Sequence, residues 1–227
     1  MVPRPKARLD DIVGSATRIF GEKGYRRTLI TDVASDLGIA PGTIYTYVES
    51  KDALFHLVIE RASGVSSTPS SLPIPSPDPG ETVKHSVQAL GRTSKLSALN
   101  AAADREKADD IPAEVEAIVR ELFNSITRGR TLIGLIERSA VDLPELRAGF
   151  YLKGRRGFIK KIETYLSMRI ESGQLRPVPD TAATARFLVE SISWFANHRH
   201  GDQDSGNITD EMAEQVCVDM LVHGLLP

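Results

Sequence analysis

Leu29–Lys51 reads LITDVASDLGIAPGTIYTYVESK, and the fold turns on it. Ile30–Leu37 carries apolar residues at helical spacing and then meets Gly38. Glycine tolerates the positive φ that a helix exit and sharp turn require. A second short helix is expected to start near Pro41, whose fixed φ suits a first turn and whose missing N–H costs nothing there. Within it Ile44 and Val48, four residues apart, pack inward. Thr43, Tyr45, Thr46 and Tyr47 fall on the more exposed surface. Two short helices joined at a glycine are the layout of a helix-turn-helix, whose second helix enters the major groove of DNA.

Several residues at fixed offsets carry a family resemblance. They are Gly24-Tyr25, Asp32-Val33-Ala34, Gly38-Ile39, Gly42-Thr43-Ile44-Tyr45, Tyr47 and Ser50-Lys51. In that combination the stretch resembles the DNA-binding segment of the TetR family, the tetracycline-repressor-like bacterial regulators. The resemblance covers about the first quarter of the chain, and beyond it only helical layout and length agree. It implies an all-α protein: an N-terminal three-helix DNA-binding domain over 1–55, then a larger helical ligand-binding and dimerisation domain over 56–227. It further implies that a fourth helix, starting at Ser50-Lys51, links the two.

Working outward, Leu9, Ile12, Val13, Ala16, Ile19 and Phe20 mark one face of a first helix that Gly21 and Gly24 close. Met1–Arg8 reads as a flexible basic arm. Ser50 is a candidate cap for the fourth helix. From about 63 to 80 the chain is rich in Ser and Pro, with Pro69, Pro73, Pro75, Pro77 and Pro79 precluding regular helix or a central strand. An extended loop or a mobile insertion are both open there. A short helix before Gly91 is possible within the ambiguous Glu81–Leu99, and Asp104–Asp110 is a charged, exposed run. Two helices, Pro112–Thr127 and Leu132–Arg138, are expected on either side of Gly129. Asp142 is a candidate cap for the next, which runs toward Gly173. Helices over about Asp180–Asn197 and Thr209–Leu225 complete the chain, with a polar loop at Gly201–Asn207.

The balance of 28 basic against 30 acidic residues counts against a polybasic coat, although a groove reader needs only a local positive surface. The lone Cys217 excludes an intramolecular disulfide and fits a core position. No apolar stretch approaches a bilayer-crossing length, and no apolar secretion segment follows the basic start, so a cytoplasmic protein is expected.

The family resemblance implies that Thr43, Tyr45, Tyr47 and Lys51 grip phosphates, while Pro41, Gly42, Thr43 and Thr46 lie where base edges or thymine methyls are approached. Thr46 is the expected direct reader. Arg26 and Arg27 stand where either a phosphate contact or plain solvated charge would place them. Ala40 replaces a commonly capping serine and Leu29 a commonly hydroxylated residue, although Thr28 lies beside it. The basic run Lys153, Arg155, Arg156, Lys160 and Lys161 reads as a solvated or ion-paired face.

A TetR-like chain is implied to bind a palindromic double-stranded operator as a homodimer. Phe187, Trp194 and Met220 on the last two helices are candidate interface residues. It is also implied to repress until a small-molecule effector binds a pocket in the C-terminal domain. Pocket residues are not assignable; Phe123, Trp194 and Phe195 serve equally as core or interface. No cofactor, metal or catalytic residue is expected. His198 and His200 are two apart and share no helical face, and no third ligand accompanies them. The alternatives are a helical protein-interaction module and, with no nucleotide loop or nucleophile motif behind it, an enzyme.

Overall fold

A computed structural model describes residues 5–65, 69–93 and 96–227. The chain is all-α: α1 (Pro5–Lys23), α2 (Ile30–Asp36), α3 (Pro41–Tyr45), α4 (Lys51–Ala62), α5 (Glu81–Thr93), α6 (Ser97–Ala103), α7 (Ile111–Ala140), α8 (Pro144–Arg147), a π-helical stretch (Ala148–Arg155), α9 (Arg156–Glu171), α10 (Thr181–Ala196) and α11 (Asp210–Leu225). Among the described residues the β contact is an isolated parallel bridge between Val48 and Ile74.

The helix starts follow from local chemistry. Ser50 Oγ accepts from the Ala53 N–H at 3.1 Å, Asp180 Oδ1 from Ala183 at 2.6 Å and Thr209 Oγ1 from Met212 at 3.2 Å, each satisfying an otherwise orphaned donor. Pro41 and Pro144 open their helices at the first turn.

Two compact units divide the chain, one of Met1–Gly91 with Thr131–Lys153, the other of Arg92–Arg130 with Gly154–Pro227. Each has its own apolar core. In the first unit Ile12, Phe20, Val33, Ile44, Leu54 and Ile59 centre a core that also takes in Leu132, Leu135 and Ile136. The second is built on residues such as Val115, Phe123, Leu166, Ile192 and Cys217. These packing units are drawn differently from the division at 55/56, because α4, α5 and the second half of α7 share the first core.

Several expectations are corrected. Gly129 does not break the helix, and α7 runs unbroken for 30 residues. A helical glycine costs only about 1 kcal/mol, and the two apolar stripes beside Gly129 each fill a different core. Thus the glycine marks a change of partner. Asp142 does not cap α8: Leu143 holds that position, and the Asp142 carboxylate accepts from the Arg26 backbone N–H at 3.2 Å. Of the supposed N-terminal arm, 1–4 lies outside the described residues, and from Pro5 the chain is already helical. Glu81–Leu99 resolves into α5 and the start of α6. In the Ser/Pro-rich segment, 66–68 lies outside the described residues, while 69–80 runs as an extended loop.

Candidate nucleic-acid interface

The turn between α2 and α3 is fixed by backbone bonds. The Gly38 N–H donates to Ser35 O at 3.2 Å and the Ile39 N–H to Ala34 O at 3.0 Å. This pair is the Schellman closure of a helix, and it requires the left-handed φ of +64° that Gly38 adopts. At the start of α2 Leu29 offers no side-chain cap. Instead Asp32 reaches back to accept the Leu29 N–H at 2.9 Å. That bond, with Lys23 3.1 Å away, holds the Asp32 carboxyl below its usual range. Thr28 does not help, since its hydroxyl is buried and donates to Gly24 O at 2.8 Å.

Ile44, fully buried, anchors α3 to the core, which leaves Pro41, Gly42, Tyr45 and Thr46 exposed on the opposite side and Thr43 half-buried. The Thr46 hydroxyl donates to Thr43 O at 2.7 Å, so toward a ligand it offers an acceptor and a methyl group. Tyr45 is 49% exposed. Tyr47 departs from expectation: it is buried with the N-terminal core, and its carbonyl accepts from the Ile74 N–H at 2.8 Å.

Lys51 is also turned inward. Its ammonium donates to the carbonyls of Tyr25 at 3.1 Å and Thr28 at 3.2 Å, approaches Arg26 O at 3.5 Å, and lies 4.4 Å from the Tyr25 ring centroid. Tyr25 stacks against Phe20 and packs at a tilt on Phe55, and its hydroxyl donates to Asp52. This knot holds the α1–α2 loop to the start of α4. It thereby sets out Arg26 and Arg27, both exposed, on the loop surface. Gly24 makes the loop possible: at φ +80° an added Cβ would lie 2.9 Å from Arg138 O.

Residues 12–58 of this arrangement match the family described as bacterial regulatory proteins, tetR family. Over those residues the chain is similar to the DNA-binding segment of that family. It is 36% identical over 55 residues to the uncharacterized HTH-type transcriptional regulator YerO of Bacillus subtilis (strain 168), a match spanning 24% of this chain and 19% of that one. The chain thus matches only about a fifth of its relative's length. Among solved structures, the fold is similar to the ketosteroid transcriptional regulator KstR2 of Mycobacterium tuberculosis. That likeness has a TM-score of 0.60 at 16% identity, covering 99% of this chain and 97% of that one. AibR, solved with isovaleryl coenzyme A and operator DNA, gives a TM-score of 0.56 at 19% identity over 95% and 98% of the two chains.

The second unit holds an apolar cavity among α7, α9 and α10, lined by residues including Ile118, Leu122, Ile162, Leu166, Leu188 and Ile192. Its open volume is about 20 Å³, room for one water-sized sphere. Phe123, Trp194 and Phe195 do not line it: Phe123 is ordinary core, Trp194 is exposed, and Phe195 is half-buried against Trp194. Beside the cavity, the Tyr165 hydroxyl donates to Glu114 at 3.1 Å, and burial pushes that hydroxyl well above the ordinary tyrosine range. Arg169, wholly buried, donates to both Glu114 oxygens and to the carbonyls of Ala102, Arg105 and Glu106.

The apolar residues of α11 split into two rows. Ala213, Cys217 and Leu221 are buried, whereas Met212, Val216 and Met220, four residues apart, are exposed. On α10, which packs against α11, Phe187 is 64% exposed and Trp194 37%. The three expected interface residues therefore stand on the outer faces of two adjoining helices. His200 faces Asp210 at 3.2 Å, and no group of three metal-ligating side chains occurs among the described residues. No described helix is long and apolar enough to cross a membrane.

The residue that sequence reasoning missed is Ile74. Its signal was faint: a single β-branched residue between two prolines, in a segment otherwise without an apolar pattern.

Proposed function

We propose that the chain is a sequence-specific DNA-binding transcriptional regulator, a repressor released by a small-molecule effector. The observation that carries this reading is the exposed face of α3, where Pro41, Gly42, Tyr45 and Thr46 stand free around a buried Ile44 on a Schellman-closed turn. Such a face supplies what the major groove asks for: a close backbone approach at Gly42, a methyl and an acceptor at Thr46, and a phenol for a phosphate at Tyr45. Thr43 joins them at the edge. Arg26 and Arg27 add positive charge from the neighbouring loop, and Lys51 and Tyr47 act from behind, by holding that loop and the exit of α3. Residues 1–55 form the reading head in functional terms, and 56–227 the regulatory and dimerisation part.

The exposed rows of α10 and α11 support a homodimer through Phe187, Trp194 and Met220. A two-fold dimer presents two reading helices to a palindrome about one DNA turn apart. The apolar cavity of the second unit is the effector site. AibR was solved with isovaleryl coenzyme A and DNA together, which supports an effector with an apolar part; here it has to widen a cavity that admits only one water-sized sphere. Widening gives the ligand different affinities for two states, which is the requirement for coupling. No catalytic role is assigned.

The test is a titration of purified chain into duplexes tiled across its own upstream DNA, beside scrambled controls and at several salt concentrations. Selective binding by two chains per site, weakening steeply with salt, is expected. In that assay Thr46→Ala changes sequence preference, not general affinity. Equal losses on selected and scrambled duplexes would remove Thr46 as a reader.

A further inference from the structure

We infer that residues 72–76 clamp the exit of α3, making Ile74 and Ser76 positioning residues for DNA recognition. The inference rests on the DNA-reading assignment above. The Ser/Pro-rich segment leaves the far end of α4 and returns to its beginning, where Ser76 meets Ser50 across 26 residues of sequence. There Ile74 brackets Val48. The Ile74 N–H donates to Tyr47 O at 2.8 Å, and the Ile74 carbonyl accepts from the Glu49 N–H at 2.9 Å. Its side chain packs, half-buried, on the first core.

Tyr47 and Val48 are themselves buried, at 8% and 0% exposure, in the short connection between α3 and α4. Buried backbone groups need partners; the Tyr47 and Val48 N–H groups find theirs at Ile44 O of α3, at 2.9 and 3.1 Å, which leaves the Tyr47 carbonyl to be met from outside. Ile74 meets it and takes the Glu49 N–H as well. Two residues further on, the Ser76 N–H donates to Glu49 Oε2 at 3.1 Å, and the Ser76 hydroxyl lies 2.7 Å from the Ser50 hydroxyl that caps α4. One short extended stretch thus fixes the backbone after α3, ties down the Glu49 carboxylate, and buttresses the cap of the next helix.

Why α3 needs this follows from its length. Five residues are far fewer than a helix needs to hold itself in water. Ile44 secures its inner side, and Gly38 sets its entry. Its exit is set by the bridge to Ile74. Readers of base edges depend on placement to fractions of an ångström, so a loosened exit degrades selective contacts at Tyr45 and Thr46 before it degrades the charge-driven, unselective ones.

The test uses the full chain and three forms of it. Ile74→Pro removes the N–H that bonds Tyr47; Ile74→Val keeps it and nearly the same shape. A third form replaces 70–78 by a Gly-Ser segment of equal length, guarding against a fold-specific failure of the proline variant. Amide exchange of Glu49 is followed in the free chain, and binding to duplexes selected from a random pool is compared with scrambled ones. In Ile74→Pro and the Gly-Ser form, Glu49 should exchange faster, and selected duplexes should bind about tenfold more weakly, the size expected for ordinary backbone hydrogen bonds lost. Scrambled-duplex binding stays near the parental value, the unfolding midpoint falls modestly with the lost bonds, and Ile74→Val matches the parent. Unchanged Glu49 exchange overturns the clamp. Equal losses on selected and scrambled duplexes, together with a lowered midpoint, overturn the positioning role in favour of plain stability. If the parent selects no duplex at all, the DNA-reading assignment falls and the positioning role with it, while Glu49 exchange still decides whether the clamp exists.

Discussion

The ammonium of Lys51 lies 4.4 Å from the centroid of the Tyr25 ring and donates to the carbonyl of the same residue at 3.1 Å. A lysine that sequence resemblance assigns to a phosphate is therefore satisfied by protein on its inner side. Its charge still counts in the local field, but its hydrogen bonds hold a loop.

Lys51→Met should lower stability by about 1–3 kcal/mol, through lost bonds from a charged donor and a lost cation–π contact. Denaturant unfolding measures this. The same variant should keep most of the salt slope of DNA binding. A slope reduced by about 1 with unchanged stability would return Lys51 to the role of a phosphate ligand.

The contrast between Lys51 and Ile44 shows what was legible in the sequence. Ile44 and Val48 at helical spacing, Gly38 after an apolar run, and Pro41 at a first turn are local signals, and local physics realises each of them. The cap at Ser50 belongs to the same class, and Asp180 and Thr209, expected only as helix starts, turn out to cap theirs. What was not legible depends on partners remote in sequence. Lys51 meets carbonyls 26 and 23 residues away, and Ser76 meets Glu49 across 27. Gly129 carries a local breaking signal that two tertiary cores override. Tyr47 has a polar tip, yet it joins the first core, and its carbonyl is met by Ile74 from the returning Ser/Pro segment.

Arg169 and Glu114 form a buried pair whose guanidinium also binds three carbonyls, of Ala102, Arg105 and Glu106. Arg169→Met leaves the Glu114 carboxylate with only Tyr165 and the half-exposed Arg105, 3.4 Å away, and should cost about 3 kcal/mol. Glu114→Gln should cost less, because the amide oxygen still accepts from Arg169 or Tyr165. Chemical unfolding of the two variants checks the order. Similar costs would show that packing of the Arg169 stem outweighs its charge.

Cys217 is buried on α11, and burial pushes its thiol up to about 11. The unfolded thiol titrates near about 8.5. Both states hold the proton below that value, so no stability difference arises there. Between the two values the unfolded chain ionises first, and stability falls as pH rises. Since the thiolate is the reactive form, a thiol reagent at pH 8 should label the native chain far more slowly than the urea-unfolded one. The stability loss above pH 9 should shrink in Cys217→Ala relative to the parent. Native labelling at the unfolded rate would contradict the burial.

Met220 is 65% exposed on α11, in the same outward row as Met212 and Val216, and Phe187 stands 64% exposed on α10. In a dimer built on this face the side chains leave water together, at about 25 cal/mol for each Å² of apolar surface covered. Met220→Glu places a charge in the middle of that surface, and the two-fold axis brings the copy's own charge near it, so the penalty is paired. Because Met220 makes no part of the monomer's buried core, helix content and monomer unfolding should change little. Sedimentation should show a shift toward monomer by tenfold or more in dissociation constant, about 1.4 kcal/mol or above. Operator affinity should fall with it, since one reading head forfeits the second half-site, and the loss should recede at high protein concentration. Dimerisation unchanged in both Met220→Glu and Phe187→Glu would place the subunit contact elsewhere, and a loss of helix content would mean that the row is held within one chain.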